Sequence, residues 1–339
     1  MSQPDAVPSP APEAVEREST ALPVPEPVEG TSPTSIAFVG LGNMGTPMSS
    51  RLVDAGFAVR GFDLSDEARG RFAESGGTPT ASAAEAARGA ALTILMLPNS
   101  AIVTAVVDEL LAAGALAAGS ILVDMSSSEP LETRALAGRL VDHGVRLVDA
   151  PVSGGVKGAV GGTLTIMVGG SPGDVAEARA VLDRLGRVVP TGEVGSGHAV
   201  KALNNLLSAT HLWVTSEAME AGKRFGLDPE VMLSVFNGSS GRSGSTENKW
   251  PNFILPGTFD SGFGLRLMLK DMRIATGLAQ AVGAPSALGE DAIGFWAAAA
   301  DDLDEAADHT RVAEWIREHP TGPDDDARAS ADPGRPEPS

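Results

Sequence analysis

With 339 residues, 42% of them apolar, the chain is long enough for two domains with a buried core in each. A net charge of −19 counts against a nucleic-acid partner, because phosphate recognition needs a basic face. There is no cysteine, which excludes disulfides, thiolate chemistry and a Cys-ligated zinc site, and no apolar run reaches the length a bilayer requires.

Residues 1–34 are rich in Pro, Glu, Ser and Ala, with no basic or apolar stretch of the kind a signal peptide carries. Such a composition buries too little surface to offset chain entropy, so disorder is expected there and over 320–339, with a cytoplasmic location as the default. Order is expected from Ser35. Ile36-Ala37-Phe38-Val39 reads as a strand that breaks into Gly40-Leu41-Gly42-Asn43-Met44-Gly45, with a helix over 47–55 behind it. A second strand, Ala58–Phe62, ends at Asp63; a helix over 67–75, an Ala-rich stretch over 81–90 and a strand over 92–97 follow. A helix over 101–111, strand Ile121–Asp124, a helix over 131–143 and strand Arg146–Asp149 continue the alternation. That βα pattern predicts a doubly wound, parallel sheet of Rossmann type, extended by a strand over 163–168, a helix over 174–185 and a strand over 187–190. Beyond Gly197 strand signals nearly vanish, and helices are expected over 198–225, 229–236, 265–282, 285–300 and 309–318. The organisation expected is a dinucleotide-binding domain over 35–196, then an all-helical substrate and oligomerisation domain over 197–319, joined by the long helix.

A lone G-x-G-x-x-G is weak evidence, but here it follows a strand and opens a helix, the context in which it binds a dinucleotide. Gly40 permits the tight turn, Gly42 lets backbone approach a pyrophosphate, and Gly45 lets helix and strand pack closely, with Leu41, Asn43 and Met44 completing the loop. Asp63, closing the second strand, suits the ribose hydroxyls and repels a 2′-phosphate, so NAD is favoured over NADP. Leu97-Pro98-Asn99 and Ser126-Ser127 end the next strands, where an open α/β sheet binds ligands, and are candidates for the nicotinamide side.

For substrate, Ser153-Gly154-Gly155 offers a hydroxyl and unhindered backbone N–H groups that suit a carboxylate, though a plain turn would look the same. Lys201 and Asn205 stand four residues apart behind Gly195-Ser196-Gly197, on one helix face: a proton carrier beside a neutral amide. Lys201 needs burial and a neighbouring cation to bring its pKa toward working pH, and Lys270 is the candidate neighbour. The histidines are less persuasive: His198, one turn before Lys201, is a candidate to line the site, His143, His211 and His309 have no partner at ligand spacing, and each reads as structural or exposed. No metal-ligand constellation is present in the sequence.

Taken together, Gly40–Met48, Met96-Leu97-Pro98-Asn99, Asp124-Met125-Ser126-Ser127, Asp149–Gly155, Gly195-x-Gly-x-x-x-Lys201-x-x-x-Asn205 and Lys270-Asp271 resemble the β-hydroxyacid dehydrogenase family. That group contains 3-hydroxyisobutyrate dehydrogenase and 2-hydroxy-3-oxopropionate (tartronate semialdehyde) reductase. The resemblance spans about residues 35–318. It implies Lys201 as catalytic acid/base, Asn205 as a substrate hydrogen-bonder, Ser153, Gly154 and Gly155 as the carboxylate site, and Lys270 against cofactor and substrate. It also puts Ser127 where the family often has a nicotinamide-side Thr, and implies a homodimer or homotetramer.

The amino-terminal half is similar to tartronate semialdehyde reductases, and Asn237–Arg242 with Phe263–Asp271 to 3-hydroxyisobutyrate dehydrogenases. The expectation is therefore NAD-dependent oxidation of a small β-hydroxy acid, 3-hydroxyisobutyrate first, with Arg242 placed to meet a second anion or polar tail. Semialdehyde reduction is the rival within enzymes. A non-catalytic dinucleotide-binding scaffold is the rival outside them, because the fold alone does not dictate chemistry.

Overall fold

The computed structural model describes residues 35–320; the segments 1–34 and 321–339, for which disorder is expected, lie outside the described residues. The first half alternates as its sequence pattern predicts, with the two-residue β3 added to it: β1 Ser35–Val39, α1 Gly45–Asp54, β2 Ala58–Phe62, α2 Asp66–Glu74, β3 Thr78–Pro79, α3 Ala83–Ala87, β4 Leu92–Leu95, α4 Ser100–Ala112, β5 Ile121–Asp124, α5 Pro130–Val141 and β6 Arg146–Asp149. The β4 and β5 strands are buried along their whole length, as apolar strands covered by helices on both faces must be. One helix layer packs Leu52 and Phe72 on the side of the sheet that carries Phe38, and the other packs Val103, Val107 and Leu110.

From β3 to β6 the strands run parallel in the order β3-β2-β1-β4-β5-β6. The continuation differs from the all-parallel expectation. After β6 the chain forms β7 (Val152–Ser153) and the short α6 (Gly155–Gly161), then returns as β8 (Leu164–Gly169), antiparallel to both β6 and β7. This is a hairpin-like return without a crossover helix over the sheet face, and only a crossover makes neighbours parallel. A crossover through α7 (Pro172–Leu182) then sets β9 (Gly186–Gly192) parallel to β8.

The 30-residue α8 (Ser196–Phe225), about 45 Å long at 1.5 Å per residue, links the sheet to the helices that follow. It touches β8 and β9 near its start and packs against α10 (Leu265–Ala281) and α12 (Val312–Glu318). With α9 (Pro229–Asn237) and α11 (Ala287–Asp302) these helices close around Trp213, which lies 6.2 Å from Trp296 and 5.8 Å from Trp315. Two local features depart from the sequence expectation. Ser245–Ile254 coils as a π-helix, and the helix expected over 309–318 begins as a 3₁₀ turn, His309–Arg311, whose start Asp308 caps.

Candidate active site

The glycine loop between β1 and α1 is shaped by contact on two sides and by open space on the third. Gly40 has φ +98°, and a Cβ added there would lie 2.2 Å from the Met96 carbonyl oxygen. At Gly45 an added Cβ would lie 1.8 Å from the Gly40 oxygen, whereas at Gly42 it would meet nothing within 4 Å. The open side is the one a pyrophosphate must approach. The α1 helix begins with no side-chain cap and no acidic residue in its first turn, leaving its first N–H groups to an anion. Asn43 is exposed and Met44 half-buried on this turn. Asp63 folds back onto the loop: its Oδ2 accepts from the Leu41 N–H at 2.7 Å and its Oδ1 from the Ser65 N–H at 2.9 Å. Arg69 stacks over Phe62, 5.8 Å from the ring centre, but is ion-paired to Asp66. The loop thus fits a dinucleotide, with the Asp63 carboxylate fixed against its backbone.

At the next strand ends, the Leu97 N–H donates to Ser126 Oγ at 2.9 Å, exposed Pro98 follows, and Asn99 caps α4 by accepting from the Ile102 N–H at 3.0 Å. Asn99 and Ser127 line a cleft of about 380 Å³ together with Lys270 and Arg273 of α10. Lys270 spans that cleft, since its Nζ donates to the Ser127 carbonyl at 2.8 Å and pairs with Asp271 at 2.8 Å.

Lys201 is buried at 7% exposure, although it belongs to a residue type almost never buried. Its Nζ lies over the Phe263 ring, 5.6 Å from the centre. Burial holds its pKa below the ordinary lysine value; Asp271 opposes this, and the charges of Lys270 and Lys249 reinforce it. Asn205, one turn on, donates its amide to Asp271 Oδ2 at 2.6 Å. Lysine, amide and buried carboxylate thus form one cluster, with the ammonium biased toward the neutral form a base needs.

Ser153 ends β7, and Gly154 and Gly155, with φ of +131° and +61°, turn the chain into α6. A Cβ built on Gly155 would come 3.8 Å from the carbonyl oxygen of Gly262, the neighbour of Phe263. The fold therefore brings the expected carboxylate segment beside the loop whose ring covers Lys201.

Arg242 is not part of this cluster: its guanidinium is 64% exposed and pairs with Glu247 at 2.7 Å. His198 is buried in the framework. One ring nitrogen bonds Thr133 Oγ1 at 2.9 Å and the other meets the Ser126 carbonyl at 3.1 Å. Three groups gain importance that their sequence positions do not announce. Asp149, fully buried, accepts from the N–H groups of Gly195 at 2.7 Å and His198 at 2.9 Å, and so pins the start of α8. Lys249 reaches the site electrostatically from the π-helix, and His309 stands against Phe263, ring centres 5.8 Å apart. In the sequence Lys249 carries one weak signal, its place beside Trp250 in a segment with no helix pattern.

No cluster of His, Cys, Asp or Glu among the described residues has metal-binding geometry, and none of their helices is long and apolar enough to cross a membrane.

Among known proteins, the two halves of the chain match separate family models. Residues 35–195 match the family model for the NAD binding domain of 6-phosphogluconate dehydrogenase. Residues 195–316 match that for the NAD-binding region of NADP-dependent 3-hydroxyisobutyrate dehydrogenase. The mitochondrial 3-hydroxyisobutyrate dehydrogenase of Drosophila melanogaster is 39% identical, over 75% of this chain and 81% of that one. The 2-(hydroxymethyl)glutarate dehydrogenase of Eubacterium barkeri is 38% identical, over 71% of this chain and 80% of that one. Among solved structures, Mycobacterium tuberculosis 3-hydroxyisobutyrate dehydrogenase with L-serine superposes with a TM-score of 0.80 at 34% identity, covering 84% of this chain and all of that one.

Proposed function

The chain belongs to the β-hydroxyacid dehydrogenase family and is a nicotinamide-dependent dehydrogenase acting on CH–OH; we propose that it oxidises small β-hydroxy acids, with 3-hydroxyisobutyrate the reference substrate and NAD the cofactor. The observation that carries the substrate side is the buried Lys201–Asn205–Asp271 cluster, set beside a loop adjoining Ser153–Gly155. When bound, the nicotinamide supplies the redox chemistry by taking the hydride. The side chains manage everything else. Ser153 and the N–H groups of Gly154 and Gly155 hold the carboxylate, and Asn205 orients the hydroxyl with the amide hydrogen it does not spend on Asp271. Neutral Lys201 accepts the hydroxyl proton, and in reduction its ammonium returns it. Asp271 holds Asn205 and Lys270 in place. For NAD the support is Asp63, whose carboxylate is fixed by two backbone N–H groups where a 2′-phosphate would be repelled.

The test is a panel of 3-hydroxyisobutyrate, glycerate and threonate, each with NAD and NADP. Turnover of 3-hydroxyisobutyrate with NAD, at a kcat/KM at least tenfold above that with NADP, is expected. Faster turnover of glycerate or threonate would move the enzyme to the semialdehyde-reductase reading, and an NADP preference would defeat the cofactor assignment.

A homo-oligomer is proposed with this activity. On α8, Val200, Leu203, Leu207 and Val214 share one face and are 42%, 43%, 59% and 54% exposed, an apolar stripe that a second copy would cover. Light scattering should give a mass of twice or four times 34.5 kDa, and a monomeric mass would refute it.

A further inference from the structure

Lys249 sits on the π-helical segment, which packs against both α8 and the 3₁₀ turn that carries His309. It is half-buried, its Nζ lies 5.8 Å from the centre of the Phe253 ring, and it has no hydrogen bond or ion pair within the described residues. Partial burial of an unpaired ammonium is costly unless a ligand completes it.

Of the acids near the site, Asp308 opposes the effect of burial on Lys249 with its charge but makes no ion pair with it, and its oxygens are occupied by other donors. Asp308 accepts from Ser261 Oγ, the N–H groups of Gly262, Phe263 and Thr310, and Thr310 Oγ1. Asp271 is held by Asn205 and Lys270. The other cations have work: Lys201 serves the hydroxyl proton, and Lys270 is tied to Asp271 and the Ser127 carbonyl.

His309 adds an independent sign of an incomplete polar pocket. Its Nδ1–H donates to the Phe263 carbonyl at 3.0 Å, while its Nε2 is buried with no partner. Burial, reinforced by the charge of Lys249, lowers its pKa to about 4, so the ring is neutral at neutral pH. Lys201 lies over Phe263, Phe263 meets His309 edge-on, and the charge of Lys249 is felt at both Lys201 and His309.

We propose that Lys249 is a specificity-determining residue that binds a second carboxylate at the far end of the substrate. The preferred substrate class is then a β-hydroxy dicarboxylic acid: one carboxylate on Ser153–Gly155, the hydroxyl at Lys201 and Asn205, and the other carboxylate at Lys249. This assignment rests on the β-hydroxy acid reading of the site. It also gives Lys249 the part that the sequence suggests for Arg242, whose guanidinium pairs with Glu247 at the surface.

The experiment compares kcat/KM for 3-hydroxyisobutyrate and for 2-(hydroxymethyl)glutarate as the dicarboxylic probe. Both substrates are assayed at one pH near neutrality, so that the protonation of Lys201, which both reactions share, cancels from the ratio of their kcat/KM values. Wild type should favour the dicarboxylic acid at least tenfold. Lys249→Met should lower kcat/KM for that acid at least tenfold more than for 3-hydroxyisobutyrate, chiefly through KM, and Lys249→Arg should restore most of the preference. Lys249→Gln, which keeps a polar end, should show the same loss if the Met variant folds poorly. Equal falls for both substrates would overturn the proposal, since Lys249 would then act only through the charge of Lys201. Turnover of 3-hydroxyisobutyrate by wild type with no dicarboxylate preference would overturn it while leaving the dehydrogenase reading intact. Turnover of neither acid would overturn both.

Discussion

Replacing Lys201 by alanine is expected to lower kcat by roughly 10²- to 10⁴-fold, the usual worth of a positioned acid/base, while leaving the dissociation constant for the cofactor within a few-fold. The two effects separate because the glycine loop and Asp63 lie at the β1 and β2 ends, whereas Lys201 sits on α8 under Phe263. The role also has a sign in pH. Oxidation needs neutral Lys201, so its kcat/KM should rise with pH and level off. Burial places the midpoint below the ordinary lysine value of 10.5. Reduction needs the ammonium, so its rate should fall through the same midpoint. Lys201→Arg keeps the charge and much of the volume but cannot become neutral at working pH, so oxidation should be as poor as in the alanine variant. Stopped-flow and steady-state rates across pH check each part. Turnover by Lys201→Ala within a few-fold of wild type, or an unchanged pH profile, would remove the lysine from the mechanism.

Asp149→Ala is expected to cost about 3 kcal/mol of stability, because two buried N–H groups at the start of α8 lose their acceptor at about 1–3 kcal/mol each. Loss of the negative charge facing a helix N-terminus adds to this, and relief of a buried, desolvated carboxylate subtracts from it. Burial raises the Asp149 pKa, and the nearby His198 charge and the two N–H bonds hold it down. For a chain of this size the change corresponds to a fall in Tm of roughly 4–6 °C. Catalysis should suffer as well, since His198, whose N–H Asp149 holds, lies one turn before Lys201. The position allows little compensation: at Gly197 an added Cβ would already lie 2.3 Å from the Met167 oxygen and 2.8 Å from Asp149 Oδ2. Thermal unfolding beside kcat measurements tests this, and a Tm within 2 °C of wild type would show that the N–H groups find other partners.

Much of the nucleotide-binding half is legible in the sequence. The βα alternation, the demands on Gly40 and Gly45, and the placing of Asp63 at a strand end are local properties, set by periodicity and by steric conflict between neighbouring segments. The α8 helix was equally readable, and with it the joint placing of Lys201 and Asn205, since four-residue spacing on a helix is itself a contact. The return of β8 antiparallel to β6 was not readable, because a βα count does not distinguish a crossover from a hairpin-like return. The π-helical coil over Ser245–Ile254 also escaped, since Pro251 and the surrounding polar residues break the helical pattern.

By itself, then, the sequence determined the fold class, the glycine loop and the pairing of Lys201 with Asn205 on one helix face, since each is written in residues close together along the chain. Tertiary structure alone decided which charges surround Lys201. Asp271 stands 66 positions from Asn205, yet their side chains meet at 2.6 Å because α10 packs on α8. Packing of the π-helical segment on α8 set Lys249 within electrostatic reach of Lys201, while Arg242 stayed at the surface with Glu247. Spacing along the chain encodes neighbours on one helix; neighbours on different helices are chosen by how buried faces fit together, and here that fit sets the charge around Lys201.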